Sequence, residues 1–353
     1  MQSEPEQPRR WPRVARAAAT LAFTGLCAWY VVAKIDLGET AHVLSHSRLW
    51  LFGVAAAVWL ASLVPLAWRW QRLLAARGID DRLPWLLRAY LVSYTAGQIL
   101  PTSLGGDAMR IFETARRHRG ATGPIAGSVL LERGFGAVST LLLGAAGFAL
   151  AVGRYDVGAY VWVELLIALG TLAVAVVFFS RRVRAPLRRV EPLLARVRLA
   201  RPLGALYRGL HGYRDHSRLV VALLGLTLAV QAVRILTIWL AGEAVGVDLS
   251  PLPYFVMGPL FFLVMLAPFT VNGLALREAF FVSFLGQLGV DADRAFATGF
   301  LYFLLAVAVS LPGAAIWGWE SLAALRDGGA GRRASGSEAR APAEAGPEPR
   351  GPA

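Results

Sequence analysis

The stretch ILPTSLGGDAMR, residues 99–110, decides how this chain folds. It sets a proline, two glycines, an acid and an arginine between apolar segments. Far downstream comes LAPFTVNGLALRE, residues 266–278, and with the prolines superposed the two stretches agree at five positions. Pro101 falls on Pro268, Ser103 on Thr270, Gly106 on Gly273, Ala108 on Ala275 and Arg110 on Arg277, about 167 residues apart. The chain therefore writes P-x-[ST]-x-x-G-x-A-x-R twice, each time inside an apolar segment.

The 353 residues are 56% hydrophobic and only 17% charged, too apolar for an ordinary soluble domain. Apolar windows fall near 15–33, 49–67, 124–152, 157–179, 219–241 and 294–319, each long enough to cross about 30 Å of hydrocarbon. The expected fold is an all-α polytopic membrane protein. The two motif-bearing segments, 84–118 and 253–290, are apolar but interrupted. As re-entrant hairpins they leave six full spans; if 253–268 and 274–290 each cross, the number is eight.

The formal net charge of +13 comes from arginine, since Lys34 is the one lysine. The arginines sit in short segments between apolar runs, which speaks for membrane topology and against a nucleic-acid partner. Residues 1–16 hold Arg9, Arg10, Arg13 and Arg16; Arg69, Arg72, Arg77 and Arg82 follow the second run, and eleven lie in 180–218. The stretches 34–48, 153–156 and 242–252 carry Asp36, Glu39, Asp156, Glu243 and Asp248. The positive-inside rule puts both termini and the 68–83 and 180–218 loops in the cytoplasm, with the protein in the inner membrane. The expected division is a cytoplasmic segment 1–14, a membrane domain 15–322 and a disordered cytoplasmic tail 323–353. Hairpin 84–118 then opens inward and hairpin 253–290 outward, an inverted-topology repeat of the kind transporters use.

Pro101 and Pro268 stop a helix, and Gly105, Gly106 and Gly273 allow a sharp break after it. Non-helical backbone at membrane depth survives only against protein or a watery cavity. New helices begin near Asp107 and Leu274, presenting free N–H groups that suit an anion. Arg110 and Arg277 lie about one turn further on, and a guanidinium fork matches a phosphate. With Ser103, Thr270, Asn272 and Glu278 at the tips, these residues form a candidate seat for an anionic lipid head group. The plainer alternative is a pair of kinks with snorkelling arginines. Glu132 and Arg133 in LLERGFG, and Arg234 beside Gln231, are charges inside spans; such groups are functional or paired with one another.

Signals for an enzyme, a cofactor or a metal are absent from the sequence. Lys34 in VVAKIDLG is not part of a phosphate-binding loop, so the chain does not drive transport with ATP itself. Cys27 is the single cysteine. Asp291 and Asp293 are a tight acidic pair of the kind a membrane-face transferase would need.

The stretches LPTSLGGDAMR, LLERGFG and NGLALREAFFVSFLGQLGV resemble the signature regions of the flippase-like family, also called the lysylphosphatidylglycerol synthase transmembrane region. The resemblance runs over roughly residues 15–320. Where the family's last motif reads Gly-Gly-Leu-Gly-x-x-Glu, this chain has Asn272 and Ala275 at two glycine positions and keeps Gly273, Leu274 and Glu278. The resemblance implies translocation of an anionic phospholipid or a polyprenyl-phosphate-linked lipid across the cytoplasmic membrane. It also implies no lysyl-lipid synthesis, because the soluble aminoacyl-transferase domain of the full synthases is not expected here. Two other classes stay open: a membrane-embedded transferase or accessory subunit in lipid-linked glycan or cell-envelope synthesis, and a structural partner. Homo-oligomerisation stays open with them.

Overall fold

The computed structural model describes residues 29, 36–99, 105–151, 213, 216–265 and 275–338. Among them all regular structure is helical: α1 Leu37–Ser45, α2 Leu49–Ala75, α3 Leu83–Ile99, α4 Gly105–Arg117, α5 Thr122–Ala151, α6 Ser217–Ala244, α7 Leu252–Val264, α8 Leu276–Gln287 and α9 Ala292–Glu338. Four stretches, Leu49–Ala75, Thr122–Ala151, Ser217–Ala244 and Ala292–Leu322, are long and apolar enough to cross a membrane. The chain is an all-α polytopic membrane protein. The window 15–33 apart from Trp29, the window 157–179 and most of the 180–218 loop lie outside the described residues.

One boundary differs from expectation. Arg69 and Arg72 are not in a loop, because α2 continues to Ala75. Its buried side chains Trp59, Leu63, Leu66, Trp70, Leu73 and Leu74 recur at three- and four-residue steps well past the apolar window. The helix ends where Gly78 takes φ 71, a left-handed turn. At the other end α9 runs to Glu338.

Paired contacts give the direction of each helix. Arg48 N donates to Ala244 O at 2.8 Å, Arg234 lies over Trp59, and Arg69 bonds Thr227, so α2 and α6 run antiparallel along their whole length. The Tyr213 hydroxyl donates to Leu73 O at 2.9 Å where the end of α2 meets the chain just before α6. Burial pushes the Tyr213 phenol above its ordinary value, so it remains a donor.

Helices α3 and α4 form an antiparallel hairpin. Ser93 Oγ donates to Gly106 O at 2.7 Å, Arg88 pairs with Glu113 at 2.9 Å, and Arg117 lies over Trp85. The backbones meet where Gly106 stands: a Cβ there would lie 2.3 Å from the Ser93 carbonyl oxygen. Helices α7 and α8 also turn back on themselves. Phe261 packs on Phe281 near the turn, while Leu249 before α7 and Val290 after α8 rest on one cluster at the opposite end. With 13, 13 and 12 residues, α4, α7 and α8 as described are about 18–20 Å long. The first hairpin starts beside the end of α2 and the second beside the end of α6. Because α2 and α6 are antiparallel, the hairpins enter the bundle from opposite ends.

The packing repeats as well. Gly147 on α5 backs onto Phe255 of α7, where a Cβ would come within 2.7 Å of the Phe255 backbone. Gly313 on α9 backs onto Leu91 of α3, where a Cβ would come within 2.0 Å of the Leu91 carbonyl oxygen. Exchanging α2–α5 for α6–α9 leaves the set of touching helices unchanged. Small residues let helix backbones approach closely in an apolar medium, where van der Waals contact holds helices together. The centre of the bundle is aromatic: Trp59 stacks on Tyr302, and Phe261 and Phe281 stand against the same ring.

Candidate functional site

The long helices and the first hairpin bring the intramembrane charges into one cluster. Glu132 on α5 is 5% exposed and is reached from three sides. Arg69 on α2 donates to Glu132 Oε1 through Nε at 3.2 Å and Nη2 at 3.0 Å. The Tyr90 hydroxyl on α3 donates to the same oxygen at 2.6 Å. Arg110 on α4 brings Nη2 to 2.8 Å from Oε2. The Arg69 guanidinium also donates to Thr227 of α6 at 2.7 Å, so one carboxylate and one arginine tie together α2, α3, α4, α5 and α6.

Arg110 is 4% exposed and lies between two rings, 4.4 Å from Trp70 and 4.2 Å from Tyr90. Aromatic faces and two carboxylates replace its hydration, which makes burial of the charge tolerable. The second carboxylate is Asp107, one turn earlier, 3.2 Å from Arg110 and 2.5 Å from Arg133 Nε. Gly105 and Gly106 are buried at the start of α4. Arg133 is thus paired as well, and the two charges of LLERGFG serve different partners.

Arg234 on α6 has another environment. Its guanidinium lies 4.9 Å over the Trp59 ring and donates to the Tyr94 hydroxyl at 3.2 Å. Its Nε is buried without a hydrogen-bond partner, and among the described residues it has no carboxylate within salt-bridge range.

These groups surround a cavity of about 380 Å³. Its charged lining is Arg69, Arg110, Arg133, Arg234, Asp107 and Glu132, an excess of two positive charges. Ser93, Tyr94 and Gln98 add polar groups along its wall. A charge imbalance of that sign in a low-dielectric setting suits an anion.

The second motif is organised differently. Arg277 Nε donates to its neighbour Glu278 at 2.9 Å and the guanidinium lies 4.5 Å over Phe303. Both residues are buried, and Glu278 Oε2 has no hydrogen-bond partner. Arg277 does not reach the cavity, whereas Arg110 lines it. Ala275 takes φ 63, the left-handed region that favours glycine. Pro101, Ser103, Pro268, Thr270, Asn272 and Gly273 lie outside the described residues.

Several members of the site were not singled out in the sequence: Arg69, Tyr90, Tyr94, Trp59 and Trp70. A signal for Arg69 existed, since it falls on the helical stripe Trp59, Leu63, Leu66, Trp70 rather than off it. The aromatic residues had none, because a ring on a core face reads as packing.

Fold and site together define a multi-pass helical membrane protein with a charged cavity inside its bundle. The chain belongs to the lysylphosphatidylglycerol synthase TM region family, whose profile matches residues 17–313. That family places it among membrane proteins of lipid or cell-envelope processes. No curated protein and no solved structure matches it.

Proposed function

We propose that the protein moves an anionic lipid or lipid-linked precursor between leaflets of the cytoplasmic membrane, without ATP of its own. One observation carries this reading: a cavity inside the bundle whose four arginines outnumber its two carboxylates. A head group would shed water for guanidinium and tyrosine donors there, while its tails stay in hydrocarbon. Support also comes from the antiparallel course of α2 and α6 and the hairpins entering from opposite ends, the arrangement expected of an inverted repeat that alternates access. The arginine-bearing end, with Arg77, Arg82, Arg116 and Arg117, is the cytoplasmic one in this reading. Arg110 shapes the cavity through Glu132 and Asp107, and Arg277–Glu278 is a self-neutralised counterpart in the second half.

The test is reconstitution into phosphatidylcholine vesicles containing a trace of fluorescent phosphatidylglycerol, with dithionite quenching to follow exposure of the label. Faster loss of inner-leaflet label than in protein-free vesicles, and no such gain for labelled phosphatidylcholine, is the expected result. Equal rates with and without folded protein would sink the proposal.

A further inference from the structure

The two halves of the bundle can be compared residue by residue, and the comparison isolates one charge. Arg69 on α2 reaches Thr227 on α6, and Arg234 on α6 reaches back to Trp59 on α2. The two arginines therefore occupy related places on the two central antiparallel helices. Arg69 is neutralised by Glu132 of α5. The repeat that sets Arg110 on Arg277 sets Glu132 on Gly299 of α9, and Gly299 packs on the Phe281 ring, which would stand 3.1 Å from a Cβ. Between Asp293 and Glu320 the sequence of α9 has no acid at all. Among the described residues, Arg234 lacks the carboxylate partner that Arg69 has.

The other arginines of the cavity each face a carboxylate, although Arg110 too keeps Nε and Nη1 without a hydrogen-bond partner. Glu132 serves Arg69 and Arg110, and Asp107 serves Arg110 and Arg133. The guanidinium of Arg234 is held in place by Trp59 beneath it and the Tyr94 hydroxyl beside it, yet its Nε donor is unused. An unpaired cation at membrane depth is costly unless something neutralises it.

We propose that Arg234, held by Trp59 and Tyr94, is the residue that binds the phosphate of a lipid head group, while Arg69 and Arg110 serve to build the cavity. This rests on the anion-binding reading above and assigns its ligand contact. Planar, bidentate recognition of a phosphate diester uses the guanidinium fork, and the unused Nε is one of its donors. The ring of Trp59 lies against the plane of the fork, and Tyr94 accepts from Nη2 alone.

Native mass spectrometry of the full chain from a neutral detergent tests this with three probes: dihexanoyl phosphatidylglycerol, dihexanoyl glycerol and inorganic phosphate. The wild type should retain the phosphatidylglycerol over the uncharged glycerol lipid, and equimolar inorganic phosphate should not displace it. Arg234→Gln should weaken retention at least about tenfold, as loss of a charge-assisted bond implies. Arg234→Lys, which keeps the charge without the fork, should fall between them. Since Arg234 has no counter-ion among the described residues, Arg234→Gln should fold with at least wild-type thermal stability; a variant that fails to fold would overturn the proposal by showing a structural role. Folded Arg234→Gln that retains phosphatidylglycerol like wild type would overturn this assignment alone. Displacement by inorganic phosphate would overturn the lipid as ligand source. No preference by the wild type for the anionic lipid would overturn the anion-binding reading itself.

Discussion

Arg69 on α2 and Glu132 on α5 meet across 63 residues of sequence as a buried ion pair, Nη2 3.0 Å from Oε1, and Arg110 closes on the other oxygen of the same carboxylate. Removing the carboxylate leaves two buried guanidinium groups without their shared partner. Glu132→Gln is therefore expected to destabilise the fold by roughly 3–5 kcal/mol, the scale for breaking a buried pair. Thermal unfolding in detergent, followed by loss of a monodisperse chromatography peak, reads the effect. An unchanged midpoint would mean that the arginines find other partners.

Close backbone approaches make a second prediction. Alanine at Gly313 or Gly106 puts a methyl within 2.0 Å or 2.3 Å of a carbonyl oxygen, and neither neighbour is a flexible side-chain end. Each substitution should cost on the order of 1–3 kcal/mol or more, the range for overpacking. Gly225→Ala on α6, with nothing within 4 Å, is the control and should be neutral or slightly stabilising. Similar midpoints for all three variants would contradict the packing described here.

Ala275 holds a left-handed conformation at φ 63 where α8 begins. A non-glycine residue there is strained by roughly 1–2 kcal/mol, partly offset by the greater unfolded-state freedom of glycine. Ala275→Gly should raise stability by roughly 0.5–1 kcal/mol, and Ala275→Val should lower it. A lower midpoint for the glycine variant would show that the turn is not strained.

Labelling can settle the direction of the hairpins. In a Cys27→Ser background, Arg119→Cys follows α4 at the arginine-bearing end, and Asp291→Cys follows α8 at the other. Membrane-impermeant maleimide in oriented vesicles should reach Arg119→Cys from the cytoplasmic side and Asp291→Cys from the outer side. Asn272→Cys should label slowly from both, as expected of a hairpin tip inside the bundle. Fast labelling of that position from the cytoplasm would favour two complete crossings instead.

Much of the architecture was written along the chain. Long apolar windows mark helices that cannot be solvated any other way, so α2, α5, α6 and α9 fall where hydropathy puts them. The paired Pro-Gly breaks announced that 84–118 and 253–290 would not be continuous helices, and Glu132 stood out as an acid amid apolar neighbours. These are local properties: a residue's cost in hydrocarbon and a backbone's freedom to bend depend on the residue itself. What the tertiary structure alone decided was which charge neutralises which. Hydropathy placed Arg69 in a loop, and packing made it a core residue. The motif equated Arg110 with Arg277, yet one shares Glu132 across three helices and the other turns to Glu278 beside it. Arg234 looked like Glu132 and Arg133, a charge inside a span, and proved to be the one with no carboxylate among the described residues. Pairing acts through space between side chains on different helices, over a few ångströms and across long separations in sequence. It exists only once the helices have been brought together.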